Sequence, residues 1–187
     1  MTVTDSFVEH QISPAIVGAP SSKLTVSYDS GVTAELGNEL TPTQVQNVPT
    51  IGYEGERDAL YTLSFIDPDA PSRLDSTMGP INHWLVVNIP GNDVASGEVV
   101  TEFIGSGPPE GTGLHRYIFL LYKQQGKIDV STEIKATKYS RDGRIKWDND
   151  AFAAKYHLGN AIAGNFYQAQ FDDYVPKLHQ QLAKGHQ

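Results

Sequence analysis

Two histidines and two aspartates stand at the ends of apolar runs, a placement that can do chemistry. Asp67 and Asp69 follow Leu60–Ile66, His83 precedes Trp84–Ile89, and His115 precedes Tyr117–Tyr122. If these runs are neighbouring strands, Asp67, His83 and His115 converge at one rim of a sheet, above a rigid apolar base. Burying such groups without hydrogen-bonded partners is costly, so they must serve one another or a ligand. Gly105, Gly107, Gly111 and Gly113 add sharp turns that can aim backbone N–H groups into a concavity suited to an anion. Plainer readings exist for each feature taken singly. Asp67-Pro68-Asp69 also suits an Asx turn that ends a strand, and a lone histidine at a strand start is commonly structural. The glycine loop is not a nucleotide P-loop, because no Lys-Ser/Thr follows Gly113.

Three kinds of chemistry compete for these residues. Two histidines and one carboxylate match the ligand count of a facial-triad metal site, but no tight histidine pair supports it. A histidine beside an aspartate suits a general base, but no Gly-x-Ser-x-Gly elbow exists and Ser106 in Gly-Ser-Gly lacks that context. Imidazoles and backbone amides around a concavity suit binding of an anion, and a protein–protein module with an unused pocket is a further reading without any such chemistry.

The elements that must position these groups are strands. Leu24–Tyr28 and Val32–Leu36 alternate around Asp29-Ser30-Gly31 and predict a hairpin. Leu60–Ile66, Trp84–Ile89 and Tyr117–Tyr122 are continuous apolar runs bounded by Pro or Gly, as in strands buried on both faces. Helical signals appear only near the end. Asp148 or Asn149 can cap a short helix through Tyr156. A second helix starts near Asp172–Asp173, with Phe171, Val175, Leu178 and Leu182 on one stripe and Pro176 in its first turn. The fold expected is mostly β, two packed antiparallel sheets in a sandwich or barrel arrangement, with short helices and a C-terminal helix.

Composition narrows the partners. At 187 residues the chain is one domain, read as 1–187 with a 1–20 N-terminal extension and a 171–187 helix. Fourteen Lys and Arg against 22 Asp and Glu give a net charge of −8, which argues against a nucleic-acid binder or a polybasic membrane anchor. With no cysteine there is no disulfide, thiolate metal site or Cys nucleophile. No basic residue precedes Lys23, and the longest uncharged stretch, Ser76–Asn92, is too short and too broken to span a bilayer. The expectation is a cytoplasmic monomer without a cofactor.

Asp67-Pro-Asp-Ala-Pro-Ser-Arg73, His83-Trp-Leu-Val-Val-Asn-Ile-Pro-Gly91 and Gly105-Ser-Gly-Pro-Pro-Glu-Gly-Thr-Gly-Leu-His-Arg-Tyr117 resemble the signature stretches of the phosphatidylethanolamine-binding proteins, also called Raf kinase inhibitor proteins. The similarity extends to Leu40–Val45 and to Ala163–Leu178, and matches the animal-type branch. The resemblance implies a fold of two packed sheets with an anion pocket built from Asp67, His83, His115 and Tyr117. It also implies contributions from Gly105, Gly107 and Pro71, and from Tyr174 at the pocket mouth. In those roles the two imidazoles, as cations, and backbone N–H groups hold an oxyanion, Tyr117 donates its O–H, and Asp67 orients a histidine. Asp69 and Arg73 fix the loop.

The ligand implied is a phosphate or a phosphoethanolamine-type lipid head group. The partners implied are a kinase cascade or a serine protease, regulated by binding and not by catalysis. Two features depart from the family. Ile81 stands where mammalian members carry a Trp, with Trp84 as the nearby substitute. Lys135–Lys146 holds five of the 14 basic residues, and Ser140 is its nearest match to a regulatory phosphorylation site, although an ordinary solvated loop also explains the segment. By the same resemblance, Gly79–Pro80 and Ala70–Pro71 are expected to be cis, which an X-Pro bond permits at a cost of only about 0.5–1 kcal/mol.

Overall fold

The computed structural model describes residues 2–186; Met1 and Gln187, the outer bounds of the expected domain, lie outside them. In chain order the elements are α1 (Val3–Glu9), β1 (Ser22–Lys23), β2 (Thr25–Ser27), β3 (Thr50–Gly52), β4 (Leu60–Asp67), β5 (Ile81–Pro90), β6 (Glu98–Thr101), β7 (His115–Lys123), α2 (Asn149–Lys155), β8 (Ala163–Ala169) and α3 (Val175–Ala183). Six strands form one sheet in the order β1-β8-β7-β4-β5-β6, and β2 pairs with β3 in a smaller one. The three apolar runs are the central strands β4, β5 and β7, and β7 and β5 flank β4 antiparallel. The large sheet is mixed, because β1 runs parallel to β8 through Ser22–Ala163 and Lys23–Gly164.

Continuous apolarity in the central strands follows from burial on both faces. On one face Leu63, Phe65, Val86, Phe119 and Tyr167 pack against Leu24, Val26 and Ile51 of the smaller sheet region. On the other, Leu85, Val87, Ile118, Leu120 and Phe166 pack against Phe7, Ile12, Val17 and Phe152. Alternate residues of each strand thus enter different cores, and neither face is left to solvent.

The expected hairpin forms only in part. Tyr28 N donates to Val32 O and Ala34 N to Val26 O, but Thr33 makes only an isolated bridge to Ser27. The chain then leaves the ladder for the buried Asn165 side chain, whose Nδ2 donates to Leu24 O and Ala34 O while its Oδ1 accepts from Leu36 N. The regular partner of β2 is β3, at Ser27–Thr50 through Thr25–Gly52.

Residues 1–20 were expected as an extension, and helices only near the end. Instead α1 forms near the start, with Thr2 and Asp5 closing a capping box. Val3 and Phe7, four apart, are buried, and the Phe7 ring meets Phe166 edge-on at 5.1 Å. The start of the chain is a core layer. Ser13–Pro14, Ala70–Pro71 and Gly79–Pro80 are cis. Among the described residues no helix is long and apolar enough to cross a membrane.

Phe7→Ala removes a fully buried ring from this layer and is expected to cost about 3–5 kcal/mol. Urea denaturation measures it, and a loss below about 1 kcal/mol, the scale of a surface change, would mean that the layer contributes little.

Candidate functional site

The ends of β4, β5 and β7 meet at one rim. Pairing passes from Phe65–Trp84 to Ile66–Asn82, which leaves His83 as the extra residue of a β-bulge. The bulge turns the His83 ring onto the same face as Phe65 and Tyr117, with centroids 5.4 Å from each. Asp67, His83, His115 and Tyr117 are buried together and line one cavity of about 210 Å³. Its remaining walls are mainly apolar, from Pro71, Ile81, Ile104, Ile145, Leu178 and Leu182.

The two aspartates have separate tasks. Asp69 receives Arg116 through Nη2 at 2.6 Å, Nε at 2.9 Å and the backbone N–H at 2.8 Å. Arg116 Nη1 also donates to His10 O, and Arg73 donates to Gln11 Oε1. Asp67 Oδ1 accepts from Asp69 N at 2.7 Å, and its Oδ2 is 2.9 Å from His115 Nδ1. His115 Nε2 lies 2.8 Å from Thr112 Oγ1. The same Thr112 hydroxyl lies 2.7 Å from Pro109 O. Both ring nitrogens of His115 are therefore occupied within the protein.

His83 behaves differently. Its Nδ1 donates to Ile104 O at 3.2 Å, and Nε2 has no hydrogen-bond partner among the described residues. Burial lowers its pKa to about 4; the Asp67 charge and the carbonyls of Ile104 and Gly105 oppose the shift, and Arg144 adds to it. His83 is thus neutral at ordinary pH, which corrects the expectation that both imidazoles are cations. Tyr117 is fully buried, and its hydroxyl has no partner among the described residues. Burial, assisted by the Asp67 charge, pushes its pKa well up, so the hydroxyl keeps its proton.

Three expected site residues do not line the cavity. Trp84 is in the core, edge-on to Phe103 at 5.4 Å, because the bulge gives the rim position to His83. Gly105 packs on the backbone of Gln46 and does not line the cavity. Two carbonyls at the start of the glycine stretch face histidines: Ile104 O accepts from His83 Nδ1, and Gly107 O accepts from His179 Nε2 at 2.9 Å. Tyr174 stands just before α3 and packs half-buried on the Ile104, Leu178 and Leu182 cluster. The cavity lies a turn further along the helix, at Leu178, His179 and Leu182. A Cβ on Gly107 would come within 2.8 Å of Leu178 Cδ2, so any larger residue there would push the Leu178 side chain aside.

The segment 135–146 is not simply a solvated basic loop. Arg144 is 1% exposed and lines the cavity. Its guanidinium donates to the carbonyls of Ser140, Asn82, Glu102 and Thr137, and it has no carboxylate partner among the described residues. Burial lowers its pKa to about 10, partly opposed by the Glu102 charge, so it remains a cation. Ser140 is buried, and its Oγ accepts from Asp142 N, so a kinase would reach it only after the loop opened. His179 and Arg144 are cavity residues that no motif marks; for His179 the signal in the sequence is a histidine one residue beyond Leu178 of the apolar stripe. Among the described residues no cluster of three His, Cys, Asp or Glu side chains is arranged to hold a metal ion.

Residues 30–170 match the family model described as phosphatidylethanolamine-binding protein. The chain belongs to this family. Within the phosphatidylethanolamine-binding protein family, a Drosophila melanogaster protein provisionally named odorant-binding protein A5 is 36% identical over 91% of this chain and 81% of its own. A 26 kDa secreted antigen of Toxocara canis is 39% identical over 88% of this chain and 63% of that protein. A solved structure of carboxypeptidase Y inhibitor, complexed with its cognate proteinase, superposes with a TM-score of 0.77 at 27% identity, covering 91% of this chain and 95% of that one.

The neutral state of His83 is measurable. The unfolded chain protonates a histidine near pH 6.5, whereas the folded value is about 4. Stability from this group is therefore full above pH 6.5 and is lost as pH falls toward 4. Ring-nitrogen NMR should give His83 a midpoint near 4 with the proton on Nδ1; a midpoint near 6.5 would contradict the assignment.

Proposed function

We propose that this protein is a binding and regulatory protein, not an enzyme, that holds the acidic head group of a small molecule or lipid in the Asp67/His83/His115/Tyr117 cavity. One observation carries the reading. Arg144 is a buried cation on the cavity wall that no carboxylate among the described residues neutralises, and buried charges are ordinarily paired. An anion in the adjacent cavity completes that pairing, with Arg141 as a second cation in the wall. At about 210 Å³ the cavity is smaller than the roughly 300–1,000 Å³ of a typical small-molecule pocket, which suits a head group and not a whole lipid.

Catalysis has less support. Ser106 Oγ bonds Tyr167 Oη at 2.6 Å and no histidine, so it has no base to activate it; the hydroxyl that does lie beside an imidazole, Thr112 Oγ1 at 2.8 Å from His115 Nε2, is also bonded to Pro109 O. We place α3 as the movable wall of the cavity, held over it by Leu178, Leu182 and the His179–Gly107 hydrogen bond. A proteinase is the first partner class to test, because the inhibitor named above is complexed with one; a kinase is the second. The expected cytoplasmic location has no support from the relatives, one of which is named a secreted antigen.

Native mass spectrometry of protein purified from its own source should show an acidic small molecule travelling with the chain. Calorimetry with phenyl phosphate should show binding that Tyr117→Phe weakens roughly ten- to a hundredfold, the value of a hydrogen bond to a charged group. A bare chain that also fails to bind phenyl phosphate would overturn the reading.

A further inference from the structure

His83 gives one ring nitrogen to the protein and leaves the other for whatever fills the cavity. Nδ1 donates to Ile104 O, which places the proton on Nδ1 and the lone pair on Nε2. Burial holds the ring neutral, with a pKa of about 4. The charged and titratable groups packed around it are Asp67 from β4, His115 and Tyr117 from β7, Arg141 and Arg144 from the loop before α2, and His179 from α3.

Most of these are already committed. Both nitrogens of His115 are engaged, Arg144 donates to four carbonyls, and His179 Nε2 donates to Gly107 O. Asp67 accepts from Asp69 and His115 and presents negative charge to the cavity. An incoming oxyanion therefore meets two acceptors, the lone pair on His83 and the carboxylate of Asp67, and as uncommitted donors the unpartnered hydroxyl of Tyr117 and the guanidinium of Arg141, which has no side-chain partner among the described residues. The surrounding cations favour an anion, but any oxygen set against His83 Nε2 or Asp67 faces an acceptor. An oxyanion stripped of every proton would set lone pair against lone pair. A singly protonated acid meets both demands, because its O–H donates to Nε2 while another oxygen accepts from Tyr117 Oη.

We infer that the cavity reads a proton on its ligand: the head group it takes donates a hydrogen bond to His83 Nε2, as a hydrogenphosphate monoester does and a proton-free monoanion cannot. The inference rests on the proposed reading of this cavity as the ligand site. It differs from recognition by charge alone, which treats all monoanions alike and strengthens with a second negative charge.

Two probes of equal charge separate these cases. Phenyl phosphate at pH 5 is a monoanion with a P–OH group, since its second pKa is about 6. Phenyl methylphosphonate is a monoanion with methyl in place of that hydroxyl. Calorimetry on the full chain at pH 5 should find phenyl phosphate bound roughly tenfold tighter. Its Kd should rise roughly tenfold per unit above pH 7 as the dianion replaces the monoanion, while that of the phosphonate stays flat from pH 5 to 8. His83→Gln, which can present an N–H, should remove the preference; if that variant does not fold, the two probes on the wild type decide alone. Equal affinities at pH 5, or tighter phenyl phosphate at pH 8 than at pH 5, would overturn the inference and leave the anion site standing. Binding of neither probe would overturn both. Where the inference holds, phosphatidic acid vesicles that displace phenyl phosphate assign the head group to a lipid, and vesicles that do not assign it to a free monoester.

Discussion

The buried pair of Asp69 and Arg116 is the constraint on which the site rests. Asp69 takes three hydrogen bonds from Arg116, two from the guanidinium and one from the backbone. The same guanidinium reaches the carbonyls of His10 and Gln11, so the chain start is tied to the strand ends. Removing one partner of such a pair costs about 3–5 kcal/mol, because it strands the other charge away from water. The geometry propagates through neighbours. With Asp69 fixed, its N–H holds Asp67 Oδ1, Asp67 Oδ2 holds His115, and His115 holds Thr112 against Pro109. One ion pair thus sets one side of the cavity.

The other side is set by a buried cation, Arg144, that has no carboxylate partner among the described residues. Arg144 gathers carbonyls from β5, from Glu102 and from its own loop, and holds that loop against the cavity. Its charge and the burial of His83 act in the same direction, and both keep the imidazole neutral. Asp67 opposes them without reversing the result, because desolvation is the larger effect. A ring beside a carboxylate can therefore remain uncharged. The outcome is a polar end that accepts hydrogen bonds, inside walls whose charge favours an anion.

The sequence made the centre of this arrangement legible and its periphery much less so. Apolar runs long enough to be buried on both faces marked β4, β5 and β7, and a charged or imidazole residue at the end of each marked Asp67, His83 and His115. The misses have local physical causes. A bulge beside Ile66 gave the rim position to His83 and sent Trp84 into the core. Tyr174 precedes the first turn of α3, so the helix brings His179 to the cavity in its place. The short elements α1 and β3 carry too few residues for periodicity to show, and they form because tertiary partners such as Phe166 and β2 receive them. Arg144 looked like one basic residue among five, since nothing in a charge run tells which member is buried.

The most direct test of the account is a crystal structure of the protein with phenyl phosphate at mildly acid pH. The account predicts the phosphate at the polar end of the cavity, with one oxygen about 2.7–3.2 Å from His83 Nε2 and another at similar range from Tyr117 Oη. Phosphate density found instead in the open groove lined by Arg73, Arg116 and Lys146, with the cavity unfilled, would contradict it.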